Sequence, residues 1–468
     1  MGHVAKYWPL CDAHLDTPRA GPRNPAHLQR LALEALVRAF SRYPRCRRRR
    51  LVIEQLPLFM RLDAIEDMCD YLSLLDVQLE LLSDPLLVSD VIRRLPGERT
   101  KLIRCLQWLE SNKKPLIAQL CRRYMALYEA DQIEAAAGVD CWVGQRIGVF
   151  LTETGWLQDG ATILHIARLQ TTPGSDEELA VSLHLLRAQT LGGNLIDARQ
   201  SYDRITAWMM SASSAAFRRS LVKPSFGGSP SGPEATHDLA AAVHLALSLY
   251  QLEVCEVSLS YHYAVLALEL LSESASHRLV IDVCRQLARA CLARQFYAKA
   301  NHLLRQAIAR AGEWFGKQSA QYAETLEDYA MYLLARDNVT DCVNVFSEAQ
   351  QIYLRLYGSR NLLLAHAQGN IVFGLCLQAY VIGRVDQAMH HVEKTMANFA
   401  RILPAGHRLL VQGRRLRTTM GLLLFGLDTG SRWTHEDEHG QDLQRVEKLS
   451  EKERALPVGA LRRGFYLC

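Results

Sequence analysis

Two successive segments decide the fold: residues 284–307, CRQLARACLARQFYAKANHLLRQA, and residues 326–349, LEDYAMYLLARDNVTDCVNVFSEA. A constant offset of 42 residues aligns them, so that Ala288 matches Ala330 and Leu304 matches Phe346. The other matches at this offset are Ala300 with Cys342, Ala307 with Ala349, Phe315-Gly316 with Tyr357-Gly358, and Ala323 with Ala365. A period kept at so many positions predicts similar structural units stacked in series.

The sizes of the repeated residues predict the structure of each unit. Ala288 and Ala300 are small where two antiparallel helices must approach closely, and Leu304 is large enough to fill the gap between them. Tetratricopeptide units distribute small and large residues in this way. We therefore predict an all-α fold, a right-handed superhelical solenoid of tetratricopeptide repeats preceded by an N-terminal helical region.

Four weaker copies of the pattern bring the predicted count to six units. They lie at residues 148–167, 186–205, 264–271 and 383–395. Gly155 is expected at the turn between two helices. Gly316 and Gly358 are expected to end helices, because glycine adopts positive φ without a steric penalty.

The pattern divides the chain into six regions. They are a disordered N-terminus (1–27), an N-terminal helical region (28–128), repeats (129–210), a disordered insert rich in Gly, Ser and Pro (211–236), further repeats (237–427) and a polar tail (428–468). The helical region does not fit the repeat. Its apolar stripe after Leu56-Pro57 predicts a helix that could dock on a partner.

Composition favours a globular protein of the cytoplasm. Of the 468 residues, 49% are hydrophobic and 22% charged, and the formal charge of +5 gives no reason to predict nucleic-acid binding. The 12 cysteines are scattered without zinc spacing, which favours a reducing compartment. We expect no secretory signal and no membrane insertion. Association with the cytoskeleton or a nuclear location stays open.

No motif in the sequence predicts catalysis or a cofactor. Residues 435–439, HEDEH, match the H-E-x-x-H pattern of zinc proteases, but they lie in a polar segment without an apolar helix face or a nearby third ligand. Phosphate-binding loops and nucleophile elbows are also missing from the sequence. We expect no catalytic residue, no cofactor and no bound metal, and the zinc protease stays the weakest of three hypotheses.

The inner surface of the predicted solenoid is the expected peptide groove. The A helix of each repeat lines that surface, and counting back from Ala288 and Ala330 places Asp282, Arg285, Glu324 and Glu327 on it. Clustered carboxylates there would favour a basic peptide, since arginine pairs with carboxylate through two hydrogen bonds. The alternative is that these side chains are only solvated.

Residues 279–424 resemble a known family. The segments VIDVCRQLARACLARQFYAKANHLLRQAI, TLEDYAMYLLARDNVTDC and ILPAGHRLL are similar to the amyloid protein-binding protein 2 family, as is IGVFLTETGWLQDGA nearer the N-terminus. The resemblance covers most of residues 28–425. The length of the repeat unit also resembles that of kinesin light chains.

The resemblance implies a non-enzymatic adaptor. It implies a substrate receptor of a ubiquitin ligase with elongin B, elongin C and cullin-2, which recognises C-terminal degrons containing arginine and glycine. It also implies binding to the cytoplasmic tail of the amyloid precursor protein and association with microtubules. The elongin-binding residues would be Leu56, Met60 and Ala64. The alternative function is a cargo-sorting adaptor on microtubules or kinesin, and homodimerisation stays open.

Overall fold

The computed structural model describes residues 28–95, 98–134, 140–210, 234–273, 275–358, 361–381, 385–400 and parts of 410–418. Within these ranges the chain forms helices and no β-strand, which confirms the predicted all-α class. None of the helices in this part of the chain combines the length and the apolar character that a transmembrane span requires.

The N-terminal region forms seven helices in the described residues. They are α1 (Leu28–Ser41), α2 (Arg47–Gln55), α3 (Leu58–Asp67), α4 (Leu75–Leu82), α5 (Pro85–Arg94), α6 (Arg99–Ser111) and α7 (Leu116–Glu134), with two 3₁₀ turns (Met68–Asp70 and Leu72–Leu74) before α4. The predicted boundary at residue 128 falls inside α7. The sequence of α7 contains no Gly or Pro that would end a helix there.

Six antiparallel helix pairs follow in the described residues up to 400, as the six predicted units require. The pairs are α8 (Cys141–Glu153) with α9 (Leu157–Leu169), α10 (Asp176–Leu191) with α11 (Leu195–Met210), α12 (Glu234–Glu253) with α13 (Val257–Glu269), α14 (His277–Ala293) with α15 (Tyr297–Trp314), α16 (Ala320–Ala335) with α17 (Val339–Tyr357), and α18 (Leu362–Val381) with α19 (Val385–Ala400). Each pair packs on the next, which confirms the solenoid of repeats.

Helix ends in the array are set by recurring local contacts. Ser175, Ser276 and Ser319 each cap a helix by accepting the N–H of the residue three positions later. Gly155 has the positive φ expected of its turn, at +93°. Gly316 and Gly358 also have positive φ and follow the last turns of α15 and α17, as predicted.

Small residues allow the close packing of each pair, as the repeat predicted. A Cβ atom on Gly148 of α8 would lie 2.5 Å from Leu164 Cγ of α9, so only glycine fits there. In the α14–α15 pair, Ala288, Ala300 and Leu304 have no exposed surface. These are the close-approach and gap-filling positions that the sequence identified.

The predicted register of the third pair is wrong by one helical turn. Leu268, at the large-residue position of the predicted copy at 264–271, is 37% exposed, whereas Ser260, Ala264 and Ala267 are completely buried. Ser260 takes the small-residue position because its hydroxyl donates to the carbonyl of Ser248, at 2.9 Å. A serine that satisfies its own hydrogen bonds packs like an alanine, and size alone did not reveal it.

The insert and the termini are described only in part. Helix α12 begins at Glu234, so the last three residues of the predicted 211–236 insert are helical; Pro233 immediately precedes it in the sequence. Residues 1–27, 211–233 and 428–468, which hold the predicted disorder and the HEDEH motif, lie outside the described residues.

The N-terminal region returns to the far end of the array. Gln107 of α6 donates from Nε2 to the carbonyl of Leu356 at the end of α17, at 3.3 Å. Asn361, just before α18, donates from Nδ2 to the carbonyl of Thr154 in the α8–α9 turn, at 2.6 Å. Contacts between residues more than 200 positions apart show that the superhelix closes on itself.

Candidate peptide-binding site

The four predicted groove residues lie on two neighbouring A helices, α14 and α16. Asp282 and Arg285 lie on α14, and Glu324 and Glu327 on α16, so the sequence identified one common face. Three of them join Arg278 and Asp328 in a network that we call the inner charge cluster. Its members are Arg278, Asp282, Arg285, Glu324 and Asp328.

Direct ion pairs hold the inner charge cluster together. Arg278 bonds Asp282 through Nε and Glu324 through Nη2, both at 2.9 Å. Arg285 bonds Asp328 through Nε at 2.7 Å, and its Nη1 contacts Asp282 and Glu324. Two guanidinium groups thus face three carboxylates, which leaves a formal charge of −1 within the cluster.

Most of the cluster is buried, which costs desolvation free energy and restricts the side chains to one arrangement. Arg278 is 2% exposed and Asp282 6%, and the side chains of Arg285 and Glu324 keep less than a fifth of their surface. Desolvation would raise the pKa of Glu324, but Arg278 and Arg285 outweigh it and lower that pKa. Charged groups removed from water require such close partners. The ion pairs therefore hold the cluster in place and favour the ionised form of Glu324.

Glu327 lies next to the cluster but has different partners. Its carboxylate accepts from the hydroxyl of Tyr353, at 3.0 Å, and from Nδ2 of Asn370, at 3.3 Å. Burial raises the pKa of Glu327 to about 8. At neutral pH this side chain is mostly protonated, so it adds little to the negative charge of the face.

Helices α6 and α8 close one end of this face. A cavity of about 40 Å³ remains between them and the α14–α16 pair, lined by Arg99, Glu153, Arg278 and Glu324 among others. That volume is enough for water and not for a peptide. Further along α14, the side chain of Arg289 is 28% exposed and pairs with Glu253 at 3.2 Å.

Sequence reasoning missed three residues of this face: Arg278 and Asp328 of the inner charge cluster, and Tyr353, the partner of Glu327. A local signal was available for two of them, because Arg278 is four residues before Asp282 and Asp328 four after Glu324, the spacing of neighbours on one helix face. Tyr353 had no such signal, since it reaches Glu327 from the next helix, α17.

The predicted elongin-binding residues differ in accessibility. Leu56 lies in extended backbone between α2 and α3, and both Leu56 and Met60 are half-buried against the core. Ala64 has no exposed surface, because its side of α3 faces the core with Leu62 and Ile65. Ala64 therefore packs the domain and is not available to a partner. The exposed apolar residue of α3 is Phe59, at 48%.

Comparison with known proteins supports the resemblance seen in the sequence. No protein-family model matches the chain. The chain is similar to amyloid protein-binding protein 2. It is 26% identical to the proteins of that name from Rattus norvegicus and Mus musculus over 333 residues, which are 70% of this chain and 54% of each relative. The chain spans about half the length of the curated relatives it matches.

Proposed function

We propose that this chain is a non-enzymatic adaptor that binds other proteins through the inner surface of its solenoid. The name of its relatives states that they bind an amyloid protein. The observation that carries the proposal is the inner charge cluster, whose five members are three carboxylates and two guanidinium groups. If no ligand used these charges, apolar residues at the same positions would stabilise the fold more than buried ion pairs do.

The ligand that this face suits is an arginine-containing C-terminal tail. An arriving guanidinium would compensate the cluster's net negative charge and could form paired hydrogen bonds with Asp328 or Glu324. Tails of this kind include the C-terminal degrons, and the amyloid precursor tail is a second candidate ligand. The alternative, a cargo-sorting adaptor on microtubules or kinesin, would be supported if the purified chain co-sedimented with microtubules and bound no such tail.

A fluorescence polarisation assay tests the peptide site. The full chain is titrated against a labelled peptide ending in an arginine- and glycine-containing sequence, and against the same peptide with an amidated C-terminus. We expect Asp328→Asn to weaken binding of the peptide with a free C-terminal carboxylate by about tenfold or more, because a hydrogen bond to a charged group is lost. Glu313→Gln removes an exposed carboxylate of α15 and should change nothing. Equal binding by Asp328→Asn and the parent chain would refute the site.

We further propose that the α2–α3 junction docks elongin C, in complex with elongin B and cullin-2, so that the bound tail is presented for ubiquitin transfer. Leu56 and Met60 each keep part of their apolar surface exposed, on either side of exposed Phe59 in the sequence. Leu56→Asp should abolish co-purification with elongins B and C. Leu72→Asp, at an exposed leucine beyond α3, is the matched control. Retention of the elongins by Leu56→Asp would exclude this docking site.

A further inference from the structure

A second pocket lies at the seam where the superhelix closes, and we call it the seam pocket. It has a volume of about 300 Å³ and lies between α6, the α8–α9 turn and the α17–α18 junction. It is lined by Arg104, Gln107, Trp108, Glu110, Ser111, Trp156, Tyr357, Gly358 and Asn361. Binding pockets for small molecules begin at about this volume, so the size suits a single amino-acid side chain.

Aromatic rings form a large part of its wall. Trp108 reaches it from α6 and Trp156 from the α8–α9 turn, and Tyr357 closes a third side. Tyr357 is 5% exposed and stacks on Tyr353 with 6.1 Å between ring centroids, so its ring is held in place. Faces of indole and phenol rings attract cations, most strongly where water is excluded.

The polar groups of the seam pocket suit a cation as well. Glu110 accepts a hydrogen bond from the backbone N–H of Ile117, at 3.3 Å, through one of its two carboxylate oxygens. The guanidinium of Arg104 is directed to Glu66, at 2.8 Å, and the side chain is 64% exposed. The positive charge of Arg104 is therefore compensated by a partner that does not line the pocket, and Glu110 is the acidic group that remains.

One buried donor in the pocket wall has no partner among the described residues. Nε1 of Trp108 is inaccessible to solvent and forms no hydrogen bond. Because the atom is closed to solvent, a ligand in the pocket does not reach it, and the groups left for a ligand are the aromatic rings and the carboxylate of Glu110.

We propose that the seam pocket binds a cationic side chain, lysine or arginine, of another protein. The cation lies between the indole rings and the carboxylate of Glu110. This site is separate from the inner charge cluster, and its occupation does not depend on the peptide site proposed there. Because α6 and α17 both contribute to it, a bound side chain would also hold the closed superhelix together.

The test uses the full chain labelled with ¹⁵N-tryptophan, in which each of the seven indole N–H groups gives one NMR signal. The signals of Trp108 and Trp156 are assigned by substitution with phenylalanine. The probes are Nα-acetyl-arginine methylamide, its neutral isostere Nα-acetyl-citrulline methylamide, and Nα-acetyl-glutamate methylamide. We expect saturable shifts of both signals with the arginine probe, and binding about tenfold weaker with citrulline.

Variants decide whether the pocket is the site. Glu110→Gln keeps an oxygen for the Ile117 N–H and should reduce affinity for the arginine probe about tenfold. Trp156→Phe should reduce the affinity for the arginine probe by a smaller factor. The indole signal of Trp314, an exposed residue of α15, should not shift when the probe is added. Thermal unfolding shows whether each variant is folded. Equal binding of arginine and citrulline, preference for glutamate, or unchanged affinity in Glu110→Gln would each overturn the proposal.

Discussion

Asn361 and Thr154, separated by 207 residues, are joined by a 2.6 Å hydrogen bond from the Asn361 side chain to the Thr154 carbonyl. The same side chain accepts the N–H of Leu363, at 2.8 Å, and so caps α18. Asn361 is 3% exposed. One residue therefore begins the sixth helix pair and fixes that pair against the first turn of the array.

Removing this side chain should destabilise the whole molecule. We expect Asn361→Ala to lower the free energy of unfolding by about 2–4 kcal/mol, because it removes a cap and leaves the buried Thr154 carbonyl unsatisfied. Asn338→Ala removes only an exposed cap, that of α17, and should cost about 1 kcal/mol. Urea denaturation of the two variants measures the difference. Equal losses would mean that the closing contact adds nothing.

Stability should fall with rising pH because of Glu327. Its pKa in the folded chain is about 8, above the ordinary value of 4.5, so the folded state keeps a proton that the unfolded state releases. The contribution of Glu327 is therefore most favourable below about pH 4.5 and is lost as pH rises through 8. Relative to the parent, Glu327→Gln should gain stability as pH rises across this window. Parallel curves of unfolding free energy against pH for the two proteins would contradict this assignment.

Two glycine substitutions should have opposite effects. Gly148→Ala places a Cβ 2.5 Å from Leu164 Cγ and 3.0 Å from the Gly160 carbonyl, so we expect a loss of about 1–3 kcal/mol. Gly312→Ala in α15 meets only ordinary contacts, 3.5 Å from the Tyr322 ring, and should gain about 0.5–1 kcal/mol through helix propensity. Thermal unfolding measures both. A Gly148→Ala variant as stable as the parent would show that α8 and α9 are not so closely packed.

Loss of Arg285 should be far more damaging than loss of an exposed arginine. Arg285→Met removes the cation that Asp282, Glu324 and Asp328 share, and breaking a buried ionic network in this way costs about 3–5 kcal/mol. Arg93→Met breaks a half-exposed pair with Asp90 and should stay within about 1 kcal/mol of the parent. Similar denaturation midpoints for the two variants would show that the cluster does not form.

The repeat pattern predicted the fold because its signal is local. Ala288 and Leu304 are 16 residues apart and meet within one helix pair, so their sizes reveal the packing. The third pair escaped because Ser260 is buried through hydrogen bonds that residue size does not report. The predicted boundary at residue 128 falls inside α7 because a helix and a repeat unit need not end at the same residue.

The candidate site was only half visible in the sequence. Helical spacing places Asp282 and Glu324 on the inner face, but the ion pairs that join both to Arg278 depend on how α14 and α16 align, which no local pattern encodes. The seam pocket was invisible for the same reason, since Trp108 and Tyr357 meet only when the superhelix has closed. The burial of Ala64 likewise follows from how the N-terminal helices pack together.

The closed superhelix is the central claim, and photo-crosslinking tests it most directly. The full chain is prepared with p-benzoylphenylalanine in place of Gln107, irradiated and digested, and the linked peptides are identified by mass spectrometry. The 3.3 Å contact between Gln107 and Leu356 predicts that the probe at position 107 forms links to the end of α17. The same probe in place of Lys113, at the α6–α7 turn, is the comparison. Links from position 107 confined to the N-terminal helices would contradict the closure.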